Sequence, residues 1–260
     1  MQTKSVNMKA IKKISLFLSA AVLFAFTIQT NDELYKQGLK YKADRDNKNG
    51  LATFQKLMKL DSNNVDYLAN GSYFYSKVGN TLATEKEKMN YYHIAEYLAK
   101  KALKINDKVA EAQYVYALAL GRINENASSS QKIANSKLIK NACDKTILLN
   151  PKHAGAYHIL GRWHRTIAGF NSVEKAMINT FYGGVPSGGS YDEAVKAFQN
   201  AIVNEPKYIL HQYELAVTYK EMGKKEYAKT WLKKAIELPA NNDDDKDAKK
   251  KSEELLKQLK

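Results

Sequence analysis

The sequence predicts an all-α, right-handed solenoid of helical hairpins, and three observations carry that prediction. Ala194, Phe198 and Ala201 are answered by Ala228, Leu232 and Ala235, each 34 residues later. Pro151, Leu160 and Gly161 are answered by Pro206, Leu215 and Ala216 at 55 residues, the same period plus 21. Small and large residues alternate at these places. Small ones let two helices approach closely, and large ones fill the holes opposite. A period of this length belongs to a helix–turn–helix unit that buries its apolar face by stacking on its neighbours.

The last unit, 209–239, carries Leu215, Ala216 and Tyr219 on its first helix and Ala228, Leu232 and Ala235 on its second. This resembles the tetratricopeptide repeat. The unit before it has Tyr157, Leu160 and Gly161 on a helix at 153–168. Its second helix holds Ala194, Phe198 and Ala201, with Pro206 as the stop. Between Gly161 and Ala194 lie 33 steps where the repeat needs 12, so this unit holds a 21-residue insertion, placed at about 167–190.

Upstream, Tyr67, Gly71 and Phe74 suit a first helix, and Ala95, Ala99 and Ala102 suit its partner. A further pair is expected over 108–123 and 130–149, joined by a polar loop and closed by Asn150 and Pro151. The first pair runs from 32 to about 43 and then over 51–60, with Phe54 and Leu57 inward. That makes about five helix pairs. From Asp243 the chain opens on three acids and closes on Lys257 and Lys260, which suits the helix dipole and a polar capping helix.

Inside the insertion, Val173, Ala176, Met177 and Phe181 fall at helical spacing and predict an amphipathic helix over 170–182. It is expected either to cover one side of the solenoid or to wall one end of its groove. The Gly183–Ser190 segment has the glycine spacing of a phosphate loop, but Gly189 stands where the lysine belongs. It reads as a turn that delivers the chain to Tyr191, with Ser190 as N-cap.

Residues 1–30 differ in kind. Lys4, Lys9, Lys12 and Lys13 precede a 15-residue apolar run over 14–28. This pattern is that of a signal peptide, or of an uncleaved N-terminal anchor. The repeat domain is then 31–260. The expected location is exported, periplasmic or envelope-associated, with an N-terminal membrane anchor as the alternative. The formal charge is +14; residues 1–30 hold four lysines and no acid, which leaves +10 for the repeats. Such a charge favours anionic partners, though the lysines are scattered over helix faces and no nucleic-acid partner is expected.

Catalytic and metal chemistry find no support. The single Cys143 sits among apolar residues and reads as a small buried hydrophobe. The five histidines include no His-x3-His pair, so no metal site and no cofactor are expected. Binding chemistry is concentrated on the groove face of the first helices. On 153–168 that face holds Gly155, His158, Arg162 and Arg165. Neighbouring helices place Leu68 and Ser72, and Tyr114 and Leu118, on that face, then Tyr213, Val217 and Lys220. Arginine beside tyrosine suits carboxylate or phosphate. The alternative is that these arginines pair with Glu214 or Glu221.

The stretch from about 151 to 256 also resembles the regulator of microtubule dynamics family. The residues that carry this are His158-Ile-Leu-Gly-Arg-Trp163, Pro186-Ser187, and Tyr191-Asp-Glu-Ala-Val-Lys-Ala-Phe198. Tyr219-Lys-Glu-Met-Gly223, Trp231-Leu-Lys-Lys-Ala235, Leu238-Pro239-Ala240 and the three acids before Lys246 complete the set. The resemblance implies an all-helical repeat protein, and for eukaryotic members an association with microtubules or organelle membranes. The expected function is a non-enzymatic scaffold that binds a peptide or anionic ligand in its groove. A lipid-binding or lipid-transfer module and a membrane-anchored microtubule adaptor are the alternatives. The expected partner is a protein or peptide, with anionic lipid second and membrane contact through the N-terminus.

Overall fold

The computed structural model describes residues 30–181 and 183–259. Twelve helices and no strand occur among them. In chain order they are α1 (Asn31–Asp44), α2 (Asn47–Leu60), α3 (Val65–Gly79), α4 (Glu85–Ile105), α5 (Ala110–Asn124) and α6 (Ser129–Leu149). Then come α7 (Ala154–Gly169), α8 (Ser172–Phe181), α9 (Tyr191–Asn204), α10 (Ile209–Glu221), α11 (Lys225–Glu237) and α12 (Asp243–Gln258). Five hairpins result: α1 with α2, α3 with α4, α5 with α6, α7 with α9, and α10 with α11. Each second helix also packs on the first helix of the next pair, and α12 closes the stack against α10 and α11. The helical-hairpin solenoid of the sequence is the fold.

Local chemistry sets the helix starts. Thr30 with Glu33, and Thr84 with Glu87, form capping boxes. Asn64, Ser128, Ser190 and Asn242 each accept a backbone N–H from the first turn of the helix that follows. Each such cap satisfies a donor the helix itself leaves free, worth about 1 kcal/mol.

The core follows the repeat positions. Ala194, Phe198, Ala201, Ala228, Leu232 and Ala235 are all fully buried, as are Phe54, Leu57, Phe74, Ala95, Ala99 and Ala102. Gly161 shows why a small residue recurs there: a β-carbon at that position would lie 2.9 Å from the Phe198 ring. Cys143 is fully buried, and burial pushes its thiol well above the ordinary range.

Two details depart from expectation. The insertion helix α8 forms, but it packs on no other described helix. Val173, Met177 and Phe181 are exposed and only Ile178 is buried, so α8 neither covers the solenoid nor walls the groove. Its ten residues are too few to bury an apolar face without a neighbouring ridge. The second departure is on α3. The sequence register put Leu68 and Ser72 on the groove face, yet both are buried in the hairpin core, with Ser72 donating to the Ala95 carbonyl.

Candidate functional site

The first helices line a centre in which charged and aromatic side chains from distant repeats meet. It begins at the end of α1. Arg45 takes the left-handed conformation, φ 58°, which aims its side chain across the solenoid. Its guanidinium lies 3.6 Å above the Tyr208 ring and 3.6 Å from the Glu205 carboxylate. Lys42, one turn earlier, donates to Asn70 Oδ1 at 2.9 Å and to Glu111 at 2.5 Å, and lies 4.6 Å over the Tyr73 ring.

Glu111 on α5 is shared with His153, whose Nε2 is 3.2 Å away. The His153 Nδ1 accepts the Ala156 N–H and caps α7, so Nε2 carries the proton and donates to Glu111. Burial alone would raise the Glu111 carboxyl. The Lys42 ammonium and the His153 hydrogen bond outweigh it and bring the group down to about 2.

The two ends of the solenoid meet here. Lys77 of α3 pairs with Asp244 at the start of α12, and the Tyr208 hydroxyl donates to the same carboxylate at 3.4 Å. Lys77 and Asp244 are 167 residues apart in sequence. Burial would raise the Asp244 carboxyl, yet Lys77 and then Arg45 hold it below the usual carboxylate range. His158 and His211 complete the centre, with their Nδ1 atoms 2.9 Å apart. His211 Nε2 stands 3.4 Å from Glu205, so it carries the proton there; His211 Nδ1 accepts and His158 Nδ1 donates. Burial, and for His158 the neighbouring His211, Arg162 and Arg165, hold both rings below the ordinary histidine range.

The six charged and aromatic residues that the sequence offered as a groove site have unequal fates. Tyr114 packs its ring on Gly155 and lies 4.4 Å from the His153 ring. His158 is engaged by His211. Arg165 meets Glu214 at 2.5 Å and Glu221 at 3.6 Å, and donates to the Glu214 carbonyl at 3.0 Å. Tyr213 packs in the cluster that joins α10 to α12. Arg162 is 49% exposed and 3.9 Å from Glu214, and Lys220 is exposed. The ion-pair alternative therefore describes Arg165, while Arg162 and Lys220 remain accessible.

Sequence reasoning missed Lys42, Arg45, Lys77, Glu111, Glu205, Tyr208 and Asp244. No spacing rule links them, because they converge only once the superhelix has turned. The acids at the start of α12 were read as dipole partners and as part of the family resemblance, not as partners of a distant lysine. A lipid-carrying centre is not what these residues build: an acyl chain needs apolar walls, and this centre presents crossed ion pairs. Among the described residues no group of His, Cys, Asp and Glu could hold a metal ion.

Stacked helical hairpins around a polar centre define a repeat protein of the tetratricopeptide class. A thermophilic tetratricopeptide-repeat protein of Thermus thermophilus shares the fold, with a TM-score of 0.62 over 87% of this chain and 99% of that one, at 16% identity. The family model for regulator of microtubule dynamics proteins 1–3 matches residues 27–260, and the chain belongs to that family. Bovine regulator of microtubule dynamics protein 1 is 32% identical over 174 residues, 66% of this chain and 54% of the relative. The human protein 1 is 31% identical over 173 residues, with the same coverage. Bovine protein 3 is 29% identical over 191 residues, covering 73% of this chain and 40% of the relative. The chain thus spans about half the length of the curated relatives it matches.

These relatives correct the expected location. An exported, periplasmic or envelope protein was expected from residues 1–30, but the relatives are mammalian regulator of microtubule dynamics proteins, which point away from a bacterial periplasm. The signal or anchor reading falls on residues outside those described. No described helix is long and apolar enough to cross a membrane.

Proposed function

We propose that this protein is a non-enzymatic scaffold for a protein partner that presents carboxylates, and that the charge surplus on its outer helices draws that partner in. One observation supports the reading above all. The acids of the centre are matched by Lys42, Arg45, Lys77 and Arg165. On the outer helices Lys88, Lys100 and Lys140 are also matched, by Glu85, Glu96 and Asp144. Lys56, Lys59, Lys104, Lys137 and Lys145 are exposed and form no ion pair among the described residues. Solvated lysines contribute little to folding but steer and hold an acidic surface.

The name of these relatives gives the first candidate, the microtubule. Cosedimentation of the purified protein with polymerised tubulin tests it. Binding that weakens as salt is raised supports the proposal. Protein that stays in the supernatant at both low and physiological salt refutes it. Anionic groups reaching Arg162 and Lys220 are a finer form of the same proposal, because Arg162 has only a long contact with Glu214 to give up.

A further inference from the structure

We infer that the cleft between α4 and the α2–α3 turn is a docking site for an acidic segment of a partner protein that carries an aromatic or branched aliphatic side chain. The inference rests on the scaffold reading above and names where the partner sits. The cleft has a volume of ≈ 720 Å³ and is lined by Asn63, Tyr97, Lys100, Lys101, Lys104 and Ile105. None of these residues belongs to the ion-paired centre.

The apolar part is built from residues the fold does not need. Tyr97 is 64% exposed and Ile105 47% exposed, and Leu60, which ends α2 just before the turn, is 59% exposed. Single exposed apolar residues are ordinary on any surface. Here Tyr97 and Ile105 share the lining of one concavity, with lysines on the same helix. An exposed aromatic rimmed by cations is the composition of an interface hot spot.

The charged part is unevenly satisfied. Lys100 pairs with Glu96 at 2.6 Å. Lys101 reaches across the cleft to the Ser62 carbonyl at 2.5 Å, a neutral partner. Lys104 is exposed and has no ion pair among the described residues. Asp61, at the end of α2, receives the Asn63 N–H and forms no ion pair among the described residues. Against Asp61 and the Glu96 partner of Lys100, the cleft lysines keep a positive surplus at Lys101 and Lys104 for an incoming carboxylate.

A helix C-terminus attracts lysine for its dipole alone, which would account for the lysines without a partner. It does not account for the apolar residue beside each. Lys56 with Leu60, Lys101 with Ile105 and Lys145 with Leu149 stand four apart at the ends of α2, α4 and α6, and all three apolar residues are exposed. Residues four apart share a helix face. The occupant is a polypeptide segment and not a bilayer, because a recess of this volume accepts side chains, which a flat lipid surface cannot insert.

The test uses the full chain and a short fluorescein-labelled peptide rich in glutamate with one phenylalanine, read by fluorescence anisotropy. Lys101→Glu and Lys104→Glu are each expected to weaken binding about tenfold, and Tyr97→Ala by a similar factor. Lys233→Glu, the same charge change at an exposed position of α11, is expected to leave it nearly unchanged. Replacing the peptide phenylalanine by alanine should cost no further affinity in Tyr97→Ala. All four positions are partly or largely exposed, and circular dichroism confirms that the variants fold.

Equal weakening by Lys233→Glu would overturn the cleft and leave diffuse charge, with the scaffold reading intact. Absent peptide binding beside intact microtubule binding would likewise sink the cleft alone. Peptide binding that depends on Lys101, Lys104 and Tyr97 without microtubule binding would uphold the cleft and remove the microtubule as its partner. Vesicles of anionic phospholipid that bind through these residues, where the peptide does not, would overturn it in favour of a membrane.

Discussion

Replacing Lys77 by methionine removes one ammonium and keeps most of the side-chain volume. It leaves Asp244 facing the Tyr208 hydroxyl and the more distant Arg45 in a largely desolvated centre. Breaking a buried pair from one side costs about 3–5 kcal/mol when both groups are fully buried. Lys77 keeps 12% of its side-chain exposure and Asp244 keeps 24%, so some solvent reaches the carboxylate. The low end, about 3 kcal/mol, is therefore the expected loss. Urea unfolding followed by circular dichroism measures it. Removing both partners, Lys77→Met with Asp244→Leu, should cost much less than Lys77→Met alone, since no charge is left stranded. Small-angle scattering adds a second readout. The pair joins α3 to α12 across 167 residues, so its loss should raise the radius of gyration of the native state. A loss below about 1 kcal/mol, the value of an exposed pair, would refute the reasoning. So would a double variant whose loss equals the sum of the two single ones.

Arg165→Ala should lose roughly 2–3 kcal/mol, because Glu214 is left buried, whereas the half-exposed Arg162→Ala should lose less than about 1 kcal/mol. Equal losses in urea unfolding would contradict the assignment. His158 and His211 are held below the ordinary histidine range, so the folded state resists their protonation. Their contribution is full above about pH 6.5 and is lost progressively as pH falls below that value toward their lowered folded values. His158 faces His211, Arg162, Arg165 and Lys77, while His211 faces Glu205, Arg45 and Glu214. A His158→Asn, His211→Asn variant should therefore show a flatter stability profile between about pH 7.5 and 5.5, and one as steep as the parent's would exclude the pair as the source. Ala194→Leu should cost roughly 1–3 kcal/mol by overpacking the fully buried contact of α7 with α9, and an unchanged melting temperature would mean the repeat register is wrong.

The repeats were legible because their chemistry is local. Alanine or glycine at the closest helix approach is forced by a neighbour within the same hairpin, as Phe198 forces Gly161, so the constraint repeats with the hairpin. The caps were legible for the same reason, as Ser190 shows. The insertion helix was visible from spacing, but its docking was not, because an amphipathic stripe does not say which surface covers it. The groove register failed on α3, where Leu68 and Ser72 are core residues and Asn70, Tyr73 and Lys77 face the centre. Position rules for a groove assume an average superhelix, and they fail where the winding brings the ends together.

That winding is also why an arginine strip did not remain an open anion site. An exposed groove would leave Arg165 solvated and available. With α10 packed alongside α7, Glu214 lies within 2.5 Å of it and is itself nearly buried, so an incoming anion must displace a carboxylate already desolvated. Displacement returns nothing for dehydrating the ligand, and the repelled Glu214 has no water to retreat to. Binding energy is better drawn from cations that have no internal carboxylate to surrender. On the described surface such cations include exposed lysines of α2, α4 and α6, and of the lysines on these helices Lys101 and Lys104 share a cleft with an exposed aromatic. On the proposed reading, the same closure that rigidifies the centre moves recognition to the outside of the solenoid.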